Sequence, residues 1–279
     1  MPEGPEIWRA AESLRKALRG HEVREAFFAF PKLASRIDEV VGQIVEAVEP
    51  RGKAMLVRFA SGLNLYSHNQ LYGKWMVRKA GADQPDTGRS LRVALHNEKH
   101  SALLYSASEI QLLADEELPE HPFLARIGPD VLDRQVKPED VLHRLRDRRF
   151  TGRRLTALLL DQGFLCGLGN YLRSEILFVA RVHPDARPKD LDDEQLEILA
   201  ETILTISRRA LRYRGITNDP DHVRELRAAG WTRSKLRHFV FARDGLDCHL
   251  CGCEVVRLEA GSRRLYVCPN CQDASEYAE

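Results

Sequence analysis

The chain has 279 residues, of which 43% are hydrophobic and 30% are charged, the composition of a globular protein with about two domains. Lysine and arginine number 42 and aspartate and glutamate 41, so the formal net charge is +1. This balance excludes a histone-like protein that is basic over its whole surface. The sequence shows no signal-peptide pattern and no apolar run of about 18 residues, so we expect a cytoplasmic protein without transmembrane helices.

The neutral total is distributed unevenly along the chain. Residues 134–154 contain eight bases and three acids, and residues 205–245 contain ten bases and four acids. Two acidic segments, 109–133 and 185–201, alternate with them. Basic blocks of this size are commonly solvated helix faces. These two flank the Gly-rich stretch 163–170, however, which favours a surface that faces a polyanion.

The first half of the chain is predicted to be one helix followed by short strands. Residues 5–19 place their apolar side chains on one helical face, and the apolar runs that follow are separated by Gly, Asn and Pro. These runs, within a strand region that reaches from Glu22 to about Gln111, include 53–59, 63–66, 74–77, 91–95 and 102–105. Short strands at such spacing imply an antiparallel sandwich or barrel. The segment 119–129, which holds several prolines, is typical of a linker.

The second half is predicted to be helical. Pro138 can open one helix, and a second covers 154–162. A third runs over 171–179 with Asn170 as its N-cap, and a fourth begins near Asp192 with Gln195 as its capping-box partner. The remaining residues alternate around a group of cysteines, with a hairpin tip predicted at residues 261–262.

The N-terminus is the most unusual segment. Met1 is normally removed before so small a residue as Pro2, which would leave a prolyl amine at the start of the chain. Such an amine can attack a carbonyl-type carbon and form a permanently cationic iminium. The positive end of the next helix disfavours its protonated form, and the adjacent Glu3 can transfer protons. Composition alone nevertheless favours the simpler interpretation that residues 2–6 are only the acidic N-terminal turn of a helix.

Two polar segments of the strand region are candidate sites. Lys53 follows Gly52 at a strand start, where it could reach a phosphate or move a proton, although an exposed structural lysine is the commoner explanation. Gln70, Leu71 and Tyr72 lie in a polar loop and could wedge into a base stack. On their own, Leu71 and Tyr72 fit a core pair better.

Two further candidates lie in the second half. The turn 167–171 opens a helix at Asn170, and backbone amides at a helix N-terminus suit a DNA phosphate. An ordinary helix corner is the alternative. Arg263 stands beside the predicted hairpin tip, where a rigid ribbon can present a guanidinium to a phosphate.

Four of the six cysteines have the spacing of a zinc site. Cys248 and Cys251 form one C-x-x-C pair, and Cys268 and Cys271 form another after a spacer of sixteen residues. Two close pairs can aim four thiolates at one tetrahedral ion, and disulfides are disfavoured in a cytoplasmic chain. Cys253 could compete with Cys251, which we favour as the ligand. We therefore expect one structural Zn²⁺.

Together these motifs resemble the formamidopyrimidine-DNA glycosylase/endonuclease VIII family, most closely its bacterial endonuclease VIII branch. The resemblance covers essentially the whole chain, with the motifs in order. They are Pro2-Glu-Gly-Pro-Glu6, Arg51-Gly-Lys53, Tyr66-Ser-His-Asn-Gln-Leu-Tyr-Gly73, His121-Pro-Phe-Leu through Leu132, Leu158-Leu-Leu-Asp-Gln162, Gly167-Leu-Gly-Asn-Tyr-Leu172 and the cysteine ribbon. Composition favours Pro2 as part of a plain helix start, whereas the resemblance favours it as a functional residue.

The resemblance implies an α+β fold. We expect an N-terminal antiparallel β-sandwich with a flanking helix and a C-terminal helical domain with a helix–two-turns–helix and a zinc ribbon. The expected boundaries are 1–118 for the catalytic sandwich, 119–133 for a hinge, 134–240 for the helical DNA-binding domain and 241–279 for the ribbon. Damaged double-stranded DNA would lie between the two domains. We expect a monomer in a bacterial cytoplasm, associated with the nucleoid when it is bound to DNA.

The same resemblance implies a bifunctional DNA glycosylase/AP lyase. Pro2 attacks C1′ of the sugar and forms a Schiff base, Glu3 donates the proton that helps to open the sugar, and Lys53 is the proton donor associated with β-elimination. Arg263 is assigned to δ-elimination. Five further positions match DNA contacts: Gln70, Arg126 and Asn170, with Leu71 and Tyr72 as the pair that fills the space of the flipped base. The expected substrates are oxidised pyrimidines.

Two other functions stay open at this point. One is a purine-directed formamidopyrimidine/8-oxoguanine glycosylase, since lesion choice depends on a pocket shape that the sequence does not reveal. Gly4 and the Gln70–Tyr72 segment favour the pyrimidine-directed branch. The other is a non-catalytic zinc-ribbon DNA-binding protein, in which Pro2 and Glu3 are incidental.

Overall fold

A computed structural model describes residues 2–277. Met1, whose removal would expose Pro2, and Glu279 of the acidic tail lie outside the described residues. The chain divides into two compact units, Met1–Arg126 and Ile127–Glu279. Among the residues that the structure describes, no helix is long and apolar enough to cross a membrane.

The first unit combines two helices with two four-stranded antiparallel sheets, ordered β1-β6-β7-β5 and β2-β3-β4-β8. Its elements are α1 (Gly4–Leu18), β1 (Glu25–Phe28), α2 (Pro31–Ala34), β2 (Val45–Arg51), β3 (Ala54–Phe59), β4 (Leu63–His68), β5 (Lys74–Lys79), β6 (Leu91–His96), β7 (His100–Tyr105) and β8 (Glu109–Ala114). Side chains from both sheets share one apolar core. The predicted antiparallel sandwich is therefore confirmed.

Helix α1 is anchored by its apolar face to this core. Ile7, Ala11, Leu14 and Leu18 recur at helical spacing and are each no more than 1% exposed. Pro5 lies in the first turn, where its missing N–H removes no helical hydrogen bond. The sandwich therefore fixes the helix that immediately follows Pro2 and Glu3.

The second unit is helical and ends in a two-stranded hairpin. Its elements are α3 (Pro138–Arg146), α4 (Leu155–Leu158), α5 (Asn170–Val179), α6 (Asp193–Arg212), α7 (Pro220–Ala228), α8 (Arg233–Leu236), β9 (Val256–Ala260) and β10 (Arg263–Val267). The predicted capping box of α6 is present, because Asp192 Oδ1 accepts from the Gln195 N–H at 2.8 Å and Gln195 Oε1 accepts from the Asp192 N–H at 3.1 Å.

Two helix predictions were wrong in detail. The helix expected over 154–162 is only the turn α4, because Asp161 and Gln162 bond nearby backbone groups, including the Gly163 N–H at 2.8 Å, in competition with the helix. Asn170 is not the N-cap of α5. Gly169 takes that extended position, and Asn170 is the first helical residue.

Candidate functional site

Pro2 is half-buried and directly precedes the N-terminus of α1. Glu3 is the N-cap residue and is 1% exposed. Its backbone N–H donates to Glu6 Oε2 at 3.1 Å, while Glu6 Oε1 accepts from Arg9 Nη2 at 2.7 Å. The Glu6 carboxylate thereby ties the first residues of the chain to the helix. Pro2 therefore precedes the positive end of a helix and is next in sequence to a buried glutamate.

Lys53 lies in the two-residue turn between β2 and β3, directly before β3. Gly52 precedes it with a φ of +60°, a left-handed conformation that fits a tight hairpin turn. The side chain of Lys53 is half-buried. Its charge helps to lower the pKa of His68. Lys53 therefore interacts electrostatically with the last residue of β4, where the loop between β4 and β5 begins.

The polar loop between β4 and β5 is a tight turn with an exposed apolar tip. Asn69 O accepts from the Gly73 N–H at 2.7 Å, and a Cβ at Gly73 would meet that same oxygen at 2.5 Å, so only glycine fits. Leu71 and Tyr72 are 52% and 65% exposed. The interpretation of Leu71 and Tyr72 as a core pair is therefore wrong, because the turn directs both side chains to the surface.

Gln70 is exposed but held in place by its neighbours. Its backbone has a φ of +46°, and its N–H donates to His68 Nδ1 at 3.1 Å. Its side-chain Nε2 donates to Glu109 Oε2 at 3.3 Å, and its Oε1 accepts from Ser108 Oγ at 2.6 Å. Sequence reasoning missed Ser108 and Glu109, because only the pairing of β4 with β8 brings them to the loop.

Arg126 is exposed and is the last residue of the first unit. Its backbone N–H donates to Phe123 O at 3.1 Å, which fixes the chain in a turn that leaves the guanidinium at the surface.

In the second unit, Asn170 is half-buried at the first position of α5, and its side chain is oriented by Arg173. Arg173 is 0% exposed and donates to three oxygens: Asn170 Oδ1 at 2.7 Å, Thr156 O at 2.9 Å and Arg264 O at 2.9 Å. One guanidinium thus connects the start of α5, the α4 turn and strand β10. Sequence reasoning did not single out Arg173.

A second buried charge, Glu175, follows on the same helix and was also missed. It is 0% exposed and accepts from the Thr217 hydroxyl and from the backbone N–H groups of Phe239, Val240 and Phe241 at 2.8–2.9 Å. The available signal was an arginine and a glutamate, with Ser174 between them, inside the otherwise apolar run 171–179. Such residues are rarely buried unless they are paired.

Arg263 is exposed at the first position of β10, next to the hairpin tip. Gly261 at that tip has a φ of +66° and makes the predicted reversal between β9 and β10. Arg263 also lines a cavity of about 560 Å³ together with residues that include Arg154, Thr156 and Tyr277.

The four predicted cysteine ligands converge. The sulfur atoms of Cys248, Cys251, Cys268 and Cys271 all lie within 4.8 Å of one another, with Cys248 and Cys271 at 3.9 Å and Cys251 and Cys268 at 3.4 Å. Tetrahedral zinc with bonds of about 2.3 Å separates its sulfurs by about 3.8 Å, so the cluster fits the ion. Cys253 is outside this group, and its backbone carbonyl accepts from the Cys248 N–H at 2.8 Å. Four thiolates leave zinc no open position, which makes its role structural.

Comparison with known proteins gives the same picture over the whole length. Residues 1–108 match the formamidopyrimidine-DNA glycosylase N-terminal domain, and residues 127–220 match the formamidopyrimidine-DNA glycosylase H2TH domain. Endonuclease 8 of Escherichia coli O17:K52:H18 is 47% identical over 98% of this chain and 100% of its own length, and endonuclease 8 of Enterobacter sp. strain 638 is 46% identical with the same coverage.

Solved structures share the fold. Lactococcus lactis formamidopyrimidine-DNA glycosylase bound to DNA with an abasic site superimposes with a TM-score of 0.78, at 19% identity, over 97% of this chain and 99% of that one. The same protein bound to DNA containing an oxidised pyrimidine gives a TM-score of 0.78 at 20% identity, with the same coverage.

Fold, cysteine cluster and sequence define the class of this protein as a DNA glycosylase/AP lyase of base excision repair. Within that class, the chain belongs to the formamidopyrimidine-DNA glycosylase family, whose curated members at 45–47% identity are named endonuclease 8.

We predict that Cys251→Ser loses zinc and that Cys253→Ser retains it. A serine at position 251 breaks the set of four sulfurs, whereas the Cys253 side chain lies outside it. The metal content of each purified variant, together with the thiolate-to-metal absorption after Co²⁺ substitution, measures the difference. Loss of one zinc per chain in Cys253→Ser, or full zinc in Cys251→Ser, would contradict this ligand set.

We also predict that His68 makes the stability of the protein depend on pH. Burial lowers the pKa of His68 below its ordinary value, while Glu109 raises it and Lys53 lowers it further. The folded protein therefore favours neutral His68, whose Nδ1 accepts from Gln70. As the pH falls below about 6.5, the unfolded chain takes up the proton first, so the free energy of unfolding decreases by at most about 1.4 kcal/mol per pH unit.

His68→Asn is the matched variant, because its amide oxygen can accept near the position of Nδ1 and does not titrate. Denaturant unfolding at pH 7.5 and 5.5 should show a larger loss in the wild type than in this variant. The other histidines with lowered pKa values, His121, His238 and His249, are present in both proteins and cancel. Equal losses would show that His68 does not contribute.

Proposed function

We propose that this protein removes oxidised pyrimidines from double-stranded DNA and then cleaves the strand by β,δ-elimination. The observation that carries the proposal is the first turn of α1, with Pro2 at the helix N-terminus and the buried Glu3 beside it. Full-length identity of 47% to an endonuclease 8 supports it. Such an enzyme acts in a bacterial cytoplasm and meets its substrate in the nucleoid.

In the proposed reaction, the Pro2 nitrogen forms a bond to C1′ of the damaged nucleotide. The bond from C1′ to the base breaks, its electron pair leaves with the base, and the departing base takes up the proton that the Pro2 nitrogen loses once it is bonded to C1′. Glu3 then donates a proton to the sugar ring oxygen, the ring opens, and the C1′–nitrogen bond becomes an iminium. The positive end of α1 keeps the amine neutral and nucleophilic before attack.

The iminium then acts as an electron sink for strand cleavage. Loss of a C2′ proton expels the 3′ phosphate in β-elimination, and loss of a further sugar proton expels the 5′ phosphate in δ-elimination. We assign Lys53, a half-buried residue, to proton transfer and phosphate contact in the first step, and Arg263 to the second. The product is a gap with a phosphate at each end.

DNA contact is assigned to both units. Gln70, Arg126 and Asn170 contact the DNA, and the exposed Leu71 and Tyr72 fill the space from which the base is flipped. Their exposure supports this role, since a 65% exposed tyrosine at a loop tip has a large apolar surface still to bury. We further propose that residues 1–118 form the catalytic domain, 119–133 a hinge, 134–240 the helical DNA-binding domain and 241–279 the ribbon.

We predict that borohydride traps the wild-type protein covalently on duplexes that contain thymine glycol, dihydrouracil or an abasic site. Pro2→Gly replaces the ring that fixes the direction of the amine, and trapping should fall roughly a hundredfold. Pro5→Ala, in the same helical turn, is the control that should keep the adduct. Mass spectrometry of the intact chain establishes in each sample that Met1 has been removed.

The outcomes of this experiment separate the alternatives. Absence of an adduct on abasic DNA with Met1 removed would contradict the lyase and favour a non-catalytic DNA-binding protein. Trapping on 8-oxoguanine duplexes in preference to the oxidised pyrimidines would make the enzyme purine-directed.

We predict that Glu3→Gln lowers base removal by roughly 10²–10⁴-fold, the range of general acid catalysis, and lowers cleavage of a preformed abasic site much less. The abasic sugar already opens on its own, so its cleavage needs the Glu3 proton less. Single-turnover rates on matched duplexes measure both steps. Glu12→Gln, an exposed site on the same helix, is the control. Equal losses in both steps would contradict the role of Glu3.

A further inference from the structure

The amide of Gln70 is held at both ends by Glu109, the first residue of β8, and by Ser108, which directly precedes that strand. Ser108 Oγ donates to Gln70 Oε1 at 2.6 Å, and Gln70 Nε2 donates to Glu109 Oε2 at 3.3 Å. Because His68 pairs with Glu109 in the β4–β8 register, the sheet itself brings Ser108 and Glu109 to the loop. The two hydrogen bonds to the Gln70 amide therefore result from the pairing of two strands that are about forty residues apart in the sequence.

The two partners fix which way the amide points. A carboxylate only accepts hydrogen bonds, so the nitrogen of Gln70 must face Glu109, and the hydroxyl of Ser108 then donates to the oxygen. With these two bonds made, Gln70 keeps one N–H and one oxygen lone pair for another molecule. It thus presents a donor and an acceptor in known directions.

The carboxylate of Glu109 is itself fixed from the core side. Its Oε1 accepts from the Tyr66 hydroxyl at 3.2 Å, and Tyr66 is 0% exposed. Burial raises the pKa of Tyr66, and Glu109 raises it further, so the phenol remains a donor throughout the physiological range. A buried tyrosine therefore anchors Glu109, and Glu109 anchors the exposed Gln70.

The backbone of the loop depends on the same cluster. Gln70 has a left-handed φ of +46°, which is costly for a residue other than glycine, and its N–H is held by His68 Nδ1. Leu71 and Tyr72 come directly after this constrained residue. Whatever holds Gln70 also sets the direction in which the two apolar side chains leave the loop.

We propose that Ser108 and Glu109 are positioning residues that set Gln70, and with it Leu71 and Tyr72, in the DNA-inserting conformation before DNA binds. This inference rests on the proposed function, which assigns the loop to insertion. A loop ordered in advance loses less conformational entropy on binding. Ser108 and Glu109 then affect base removal from duplex DNA, which needs insertion, and leave cleavage of an abasic site in single-stranded DNA unaffected.

Glu109→Gln tests the inference, because it keeps the shape of the side chain but replaces the charged acceptor of the Gln70 amide with a neutral one. We expect kcat/KM for removal of an oxidised pyrimidine from duplex DNA to fall roughly tenfold, the size of one hydrogen bond to a charged group. Insertion, followed by the fluorescence of 2-aminopurine placed beside the lesion, should slow to the same extent. Cleavage of abasic single strands should stay at the wild-type rate. Glu116→Gln, an exposed site past the end of β8, is the matched control.

A double-mutant cycle separates positioning from general destabilisation. In a Gln70→Ala background, Glu109→Gln should change kcat/KM by less than about twofold, because its partner is already gone. A full tenfold loss in that background, or normal insertion in Glu109→Gln, would overturn the inference. Should Glu109→Gln fail to fold, Ser108→Ala, which removes one hydroxyl, enters the same cycle.

A wild-type protein with no base removal and no trapped adduct would instead contradict the proposed function, whereas an active wild type with unaffected variants contradicts this inference alone.

Discussion

The second unit depends on one fully buried carboxylate, Glu175. Removing such a charge from water costs several kcal/mol, and burial accordingly raises its pKa, while the hydrogen bonds it accepts act in the opposite direction. Four donors converge on it: the Thr217 hydroxyl and the N–H groups of Phe239, Val240 and Phe241. Nearby His238 is held neutral, because burial lowers its pKa well below the ordinary value. The carboxylate is therefore stabilised by hydrogen bonds and not by an ion pair, and it fastens α5 to the segment that leads into the cysteine ribbon.

Arg173, two residues earlier on α5, makes the complementary connection. Its bonds to Thr156 O, Asn170 Oδ1 and Arg264 O join the α4 turn, the start of α5 and strand β10. The ribbon hairpin has only two strands of five residues, too little for independent stability. Its orientation therefore depends on anchors at both ends: the cysteine cluster that fits zinc, and the carbonyl held by Arg173. The position of Arg263 follows from these two anchors.

The sequence predicted features that depend on local spacing. The C-x-x-C pairs identified the converging sulfurs, the alternation of short apolar runs identified five of the eight sandwich strands, and Gln195 identified the cap of α6. Features that depend on partners far away in the sequence were not predicted. Asparagine is a residue type that favours N-caps, but the side chain of Asn170 is held by Arg173 instead. This contact could not be predicted, because Arg173 is fixed in turn by the carbonyl groups of Thr156 and Arg264, which are distant in the sequence. Leu71 and Tyr72 resemble a core pair in their apolar character, but they lie at the tip of the tight turn that Gly73 closes, where both are exposed. The role of Glu109 was missed because its partner, Gln70, lies 39 residues away in the sequence.

The two amide side chains assigned to DNA contact, Gln70 and Asn170, are held in the same way by ionised residues of opposite sign. Arg173 donates to Asn170 Oδ1, so it is the NH₂ group of that amide that can meet a further hydrogen-bond acceptor. A phosphate oxygen only accepts hydrogen bonds, so this is the orientation that a backbone contact requires. Glu109 occupies one N–H of Gln70 and Ser108 one lone pair of its oxygen, so Gln70 keeps a donor and an acceptor and can meet a base edge as well as a phosphate. An overall charge of +1 is compatible with DNA binding. A uniformly basic surface attracts DNA without orienting it, whereas amide side chains that are already fixed form hydrogen bonds in defined directions.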